Sequence, residues 1–397
     1  MMTSVDSRGA VADYAPVPAG IESRVAPLRL MAEVQQQSAA PGAGLVLVTH
    51  LLETSVEYVL RLAESFALIT VIPVPYSLSA AAALELRRRG IPLRTVESIA
   101  EIAPAVLAAA RSHGGDVIVQ EVGGYCAEIT EDLAAAGVSA IVEDTNQGLW
   151  RYRAVRDRRV PIYTIADSPL KRLEDRRVGD GVAHSVDALF RSELNRLVGN
   201  QTVGVLGYGG IGRYTAQGLK RMGARVHVYD IDPIASAGAA TDGFEVHGRT
   251  RLLRTCNVIV GVSGHRSLTV ADFELLDHDT VLASGSSKQV EFPVEDLDAE
   301  GRVERISKYL ARIALDGKNT WLLNEGRPVN FVHNSILGNT LDLVYTELFA
   351  LTIAAAHGVE NGGPDGINRL PTEHQRNFAA RWCHLYGGKN VPGTRRS

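Results

Sequence analysis

Two residues that could move a proton stand four positions apart in "TIADSPLKRLED" (residues 164–175): Lys171 and Asp175. They follow a strand-like run, 160–165, that ends in Asp-Ser-Pro. An amine held by a carboxylate can take and return the proton of a substrate hydroxyl. The same spacing on an exposed helix face would be an ordinary ion pair, worth about 0.3–0.5 kcal/mol. Other strand-like runs also end in polar groups. His50 follows "LVLVT", Tyr76 and Ser77 follow "ITVIPV", Glu121 and Gly123-Gly124 follow "DVIVQ", and Glu143, Asp144 and Thr145 follow "VSAIV". In open α/β sheets ligands sit beyond the carboxyl ends of the strands, so these groups are expected to converge on one acid–base site.

A second constellation concerns a dinucleotide. Gly207-Tyr-Gly209-Gly210-Ile211-Gly212 follows a strand-like run and opens a helical one, and Asp230 ends the next strand. The first glycine allows a tight turn, the second lets the backbone approach a pyrophosphate, and the third lets helix and strand pack closely. Asp230 would accept bonds from ribose hydroxyls and repel a 2′-phosphate, which favours NAD over NADP. Ser263 and Gly264, at the end of "NVIVGVSG", are further cofactor candidates.

Short Val/Ile-rich runs alternating with helical patterns must position both sets, which predicts an α/β protein of two doubly wound domains. A Rossmann unit is expected to be inserted into a flavodoxin-like domain. The expected division is a flexible arm at 1–22, a substrate domain at 23–183, the nucleotide domain at 184–335, and a hinge helix with the rest of the substrate domain at 336–397. "IPLRTV" is read among the strands. The helical segments "DGVAHSVDALFRSEL" and "GNTLDLVYTELFALTIAAAHG" bracket the nucleotide unit as a hinge pair. A net charge of −4 and 22% charged residues give no sign of a nucleic-acid binder. Three widely spaced cysteines fit a reducing cytoplasm and give neither a disulfide framework nor a zinc spacing, so no metal is expected. No segment reads as a signal peptide or a membrane span.

With these residues in view, the chain resembles the S-adenosyl-L-homocysteine hydrolase family over roughly residues 27–356. "VTHLLETSVE", "VEDTNQG", "DSPLKRLED", "GYGGIGRYTAQGLKRMGARVHVYDIDPI" and "NEGRPVN" carry the resemblance. It implies tightly held NAD as an internal redox agent and a nucleoside substrate, expected to be an adenine nucleoside. It also implies a homo-oligomer, a dimer or tetramer. The family oxidises the 3′-hydroxyl, removes the acidified C4′ proton, expels the 5′ substituent, adds water and reduces the ketone. By position, the resemblance makes Lys171, with a pKa lowered by burial, and Asp175 the pair at that hydroxyl. Asp144 bonds the ribose, His50 lies in the substrate site, Thr145 and Asn146 lie in the NAD-contacting run, and Asn330 lies near the nicotinamide.

The chain departs from the family where the 5′ group is handled. The family's Asp-Asp-Gly-Gly-Asp is Glu121-Val122-Gly123-Gly124-Tyr125 here, with Glu121 as a substitute acid or base. Its Asn-Ile-Gly-His is Ser284-Gly285-Ser286-Ser287, and its Gly-His-Pro-Ser gate is shortened to "FVHNSIL". The expected activity is therefore NAD-dependent elimination or addition at C4′–C5′, a dehydratase or hydratase of secondary metabolism. The alternatives are a genuine adenosylhomocysteinase, an inactive NAD-binding regulator, and a dehydrogenase that releases NADH.

Overall fold

Adjacent residues of the first sheet's strands point to opposite faces, and both faces are covered. In β1 (Gly44–Thr49), Leu45 and Leu47 join one core and Val46 and Val48 the other, and every residue is buried. Burial on both sides is what a continuous apolar run implies. The computed structural model describes residues 25–39, 42–315 and 317–387. The arm expected at 1–22 lies outside them.

The first sheet also contains β2 (Ala67–Pro73), β3 (Val117–Glu121), β4 (Val138–Glu143) and β5 (Ile162–Thr164). Its order is β2-β1-β3-β4-β5 and every pair is parallel, which is the flavodoxin-like order. The run "IPLRTV" forms no strand. It makes one bridge, Leu93 to Val71, and Pro92 has no N–H for a ladder.

The second sheet comprises β6 (Thr202–Leu206), β7 (Arg225–Tyr229), β8 (Glu245–Val246), β9 (Val258–Gly261), β10 (Thr280–Ser284), β11 (Val303–Arg305), β12 (Leu310–Leu315) and β13 (Lys318–Leu323). Read from one edge, the order is β8-β7-β6-β9-β10-β13-β12-β11. The first six follow the 3-2-1-4-5-6 dinucleotide order, and β12 and β11 extend the edge antiparallel.

The helices on either side of this sheet differ in their partners. Helix Asp175–Leu194 places Val182, Val186 and Phe190 in the second sheet's core. Helix Thr340–Ala356 returns to the first sheet with Leu343, Leu348 and Phe349. The polar C-terminal tail, which has no obvious periodicity, forms helix Thr372–Tyr386 and packs beside it. One buried carboxylate ties these pieces together. Asp342 accepts the backbone N–H groups of Leu30 (2.7 Å) and Met31 (3.0 Å), and the Tyr386 hydroxyl (2.7 Å). It thereby caps helix Arg29–Gln37, whose own N-cap, Leu28, has no side-chain acceptor. Asp342→Ala should cost about 3 kcal/mol in urea denaturation, since it strands two buried backbone donors at the start of helix Arg29–Gln37.

No helix among the described residues is long and apolar enough to cross a membrane.

Candidate active site

The carboxyl ends of both sheets face a cavity of ≈ 150 Å³. From the first unit come His50, Asp144, Thr145, Lys171 and Glu174; the second unit supplies Ile211, Ser287, Asn330 and Phe331; helix Thr340–Ala356 adds Tyr345. Six of the expected site residues meet here: His50, Asp144, Thr145, Lys171, Ile211 and Asn330.

Lys171 does not pair with Asp175. Its Nζ lies 2.7 Å from Asp144 Oδ1 and 2.9 Å from Glu174 Oε1. The cause is local: residues Lys171–Glu174 form a 3₁₀ turn, in which side chains three apart lie one above the other. Asp175 starts the following helix and turns its carboxylate to Gly210, where a Cβ would fall 1.9 Å from Oδ2. That position suits a carboxylate, because Gly210 opens helix Gly210–Arg221. The expected lowering of the Lys171 pKa is also overturned. Burial alone would lower it, but the Asp144 and Glu174 carboxylates outweigh burial and hold it above the ordinary lysine range. Burial pushes Glu174 up against the pull of Lys171.

His50 Nδ1 lies 2.6 Å from Ser77 Oγ, and its ring packs 4.6 Å from that of Phe331. Burial lowers its pKa to about 4, so it is a neutral imidazole at pH 7.

Glu121 is not in the cavity. It is fully buried behind β3, where it accepts the backbone N–H groups of Tyr125 (2.9 Å) and Cys126 and the Tyr152 hydroxyl. A carboxylate with these donors is committed to holding the glycine loop. Glu143 is committed likewise, accepting the N–H groups of Gly123 (2.9 Å) and Gly124 (2.8 Å). Asn146 is exposed on the first turn of helix Asn146–Ala154, which Thr145 caps by accepting Gly148 N–H at 3.1 Å.

A residue missed in the sequence is Lys288. It follows β10, is 5% exposed, and crosses to the first unit, donating from Nζ to the Gly123 carbonyl. Its Nζ stands 4.4 Å over the Tyr125 ring. Burial, aided by the Arg151 guanidinium, lowers its pKa to about 8. It lines an adjoining cavity of ≈ 340 Å³ with Tyr76, Tyr125, Arg151 and Arg327. Tyr76, which lines this second cavity, donates its hydroxyl at 2.8 Å to the carbonyl of Ser287, which lines the first. No motif marks Lys288; only the approach of the two units buries it. His333, in "FVHNSIL", does not line the first cavity; its Nδ1 lies 3.0 Å from Ser185 Oγ.

The glycine turn fits a dinucleotide. Gly207 has φ +103°, and a Cβ there would meet Ser263 at 2.8 Å; on Gly212 it would strike the Gly207 carbonyl at 2.1 Å. A Cβ on Gly209 meets nothing within 4 Å, which leaves open space before a helix start with no side-chain cap. Asp230 accepts the Tyr208 N–H, and so sits beside the turn, and that of Asp232 at 2.8 Å. Asn330 Oδ1 is buried without a partner, and its Nδ2 bonds Ser335 Oγ at 3.1 Å. This leaves an acceptor for an amide such as the nicotinamide's. Ser263 and Gly264 adjoin the turn, although their N–H groups already reach Glu291 at 2.7 and 2.9 Å. Gly212→Ala should reduce NAD affinity at least tenfold, as measured by equilibrium dialysis, because the turn must open to admit the methyl group.

Residues 180–336 match the family described as "S-adenosyl-L-homocysteine hydrolase, NAD binding domain". The S-inosyl-L-homocysteine hydrolase of Methanopyrus kandleri is 29% identical over 281 residues, covering 68% of this chain and 65% of that protein. The adenosylhomocysteinase of Thermotoga maritima is 34% identical over 209 residues, 51% of this chain and 50% of that protein. The chain thus spans one half to two thirds of the length of these relatives. Among solved structures, a putative D-3-phosphoglycerate dehydrogenase from Ralstonia solanacearum aligns with a TM-score of 0.46 at 13% identity, over 81% of this chain and 96% of that one.

Proposed function

We propose, from the match of residues 180–336 to the NAD-binding domain of S-adenosyl-L-homocysteine hydrolase, that the chain belongs to that family, oxidises the 3′-hydroxyl of a purine nucleoside transiently and catalyses elimination or addition at C4′–C5′. The observation that carries this reading is the Lys171 ammonium, held between two carboxylates in a cleft that Asn330 and Ile211 close from the nucleotide side. NAD, held by the glycine turn, Asp230 and Asn330, would supply reversible two-electron oxidation of the carbinol carbon.

The chain's own residues account for the proton steps. A sugar diol that donates to Asp144 competes with Lys171 for that carboxylate. Losing one of its two anionic partners lowers the lysine pKa, and transfer of its proton to Glu174, 2.9 Å away, leaves a neutral amine that takes the 3′-hydroxyl proton. Once the 3′ carbon is a ketone, the C4′ proton is acidic, and the electron pair left by its removal expels the C5′ substituent. Lys288, whose pKa burial lowers to about 8 and whose amine is therefore neutral above that pH, is the group assigned to that proton. His50, a neutral imidazole, holds the sugar edge or the departing group by hydrogen bonding. Tyr76 and Tyr125 line the cavity beside Lys288.

A second reading is hydrolysis of the thioether itself, favoured by the names of the two relatives, which differ in the purine. Incubation with S-adenosyl- and S-inosyl-L-homocysteine, adenosine and inosine distinguishes them. Thiol release supports hydrolysis, whereas a 4′,5′-unsaturated nucleoside without thiol release supports the dehydratase. Unchanged nucleosides with no transient absorbance of reduced cofactor would dismiss both.

A further inference from the structure

We propose that His227, Glu245 and His247 form a site for a divalent transition-metal ion, Zn²⁺ by ligand chemistry, at the outer edge of the second sheet. The strand register brings them together. β7 and β8 pair in parallel with His227 opposite Glu245, so both side chains leave the same face. His247 stands two residues beyond Glu245 and returns to that face. The three ligand atoms lie within 4.8 Å of one another. Glu245 Oε2 is 3.6 Å from His227 Nε2 and 3.4 Å from His247 Nε2. Ligands about 2.0–2.1 Å from a tetrahedral zinc stand about 3.3–3.4 Å apart, so these edges already suit the ion.

A second observation points the same way. His227 is 8% exposed, and its Nε2 has no hydrogen-bond partner. A structural His–carboxylate pair would have closed to hydrogen-bond distance, and neither imidazole does so. The other ring nitrogen, Nδ1, lies 3.8 Å from Cys256 Sγ. With Nδ1–H donating to that sulfur, Nε2 presents its lone pair toward Glu245 and His247, as a metal requires. The cluster carries one carboxylate, and the Arg225 and Arg251 guanidiniums act on His227 from nearby. Such a site disfavours Mg²⁺ or Ca²⁺, which need several oxygen ligands, and suits an ion that binds neutral imidazole well. The Glu245 side chain is 67% exposed, which leaves room for water as a fourth ligand. The ion would clasp the two-residue strand β8 onto β7.

The test uses the full chain with NAD bound, stripped of metal with a chelator, freed of any histidine tag, and titrated with Co²⁺ and then Zn²⁺. One equivalent of Co²⁺ should give the intense visible bands of a four-coordinate site, and Zn²⁺ should displace it. Zn²⁺ should also raise the unfolding temperature of the unaltered chain. In Glu245→Gln and His247→Ala, both at the outer edge, metal affinity should fall at least tenfold and the thermal shift should vanish. No saturable binding, or equal affinity in the unaltered chain and both variants, would overturn the proposal.

Discussion

Lys171→Met is expected to reduce turnover by at least about 10³-fold, because it removes the group that exchanges the substrate's hydroxyl proton. The same change should cost about 3–5 kcal/mol of stability near pH 7.5, since it leaves the Asp144 and Glu174 carboxylates together in a buried site without their cation. The side chains of all three groups are at most 15% exposed, so solvent screens them little. The two effects separate by pH. Without Lys171, the burial that already raises the Glu174 pKa is no longer opposed by the lysine charge, so that pKa stands further above its unfolded value. Stability from such groups is present at low pH and is lost as pH rises through the folded pKa, so the variant should recover as pH falls toward 5. Urea denaturation at pH 5.5 and 7.5 checks this, and turnover should stay absent at both. A variant that regains both stability and turnover in acid would make Lys171 a purely structural cation.

Lys288→Met should lower turnover by about 10²–10⁴-fold and remove an inflection from the pH–rate profile. A base must be neutral to accept a proton, and this amine, lowered to about 8 by burial, becomes neutral above that pH. In the unaltered chain the rate should therefore rise with pH through about 8 and level off. The variant's residual rate should lack this rise. Its fold should tolerate the change, because methionine keeps an unbranched stem of similar length and removes a buried charge beside Tyr125. A profile identical in both proteins would reduce Lys288 to a prop between the two units.

The legible parts of the molecule were those set by local backbone demands or by strand composition. Gly207 and Gly212 each sit where a side chain cannot, and the parallel pairing of the strands outside the antiparallel edge β11–β12–β13 follows from Val/Ile runs alternating with helices. Finding the cavity at the strand ends required only the rule that ligands bind there. Which side chains enter it did not follow from that rule. Glu121 occupies a strand's last position, yet its carboxylate is consumed by the loop beneath it. The spacing of Lys171 and Asp175 suggested an α-helical face, but the segment begins as a 3₁₀ turn, so Glu174 takes the lysine. Lys288 and the His227–Glu245–His247 cluster depend on contacts far apart in sequence, which no short motif records.

The most direct test of the central claim is incubation of the NAD-loaded protein in D₂O with adenosine, inosine and their S-linked homocysteine derivatives, followed by NMR of the recovered nucleosides. A ketone formed at C3′ makes the C4′ hydrogen exchangeable, so deuterium should appear at C4′ in the unaltered chain and be absent with Lys171→Met. Hydrogen retained at C4′ in all four compounds, with the cofactor bound and the fold intact, would contradict transient oxidation as the basis of its chemistry.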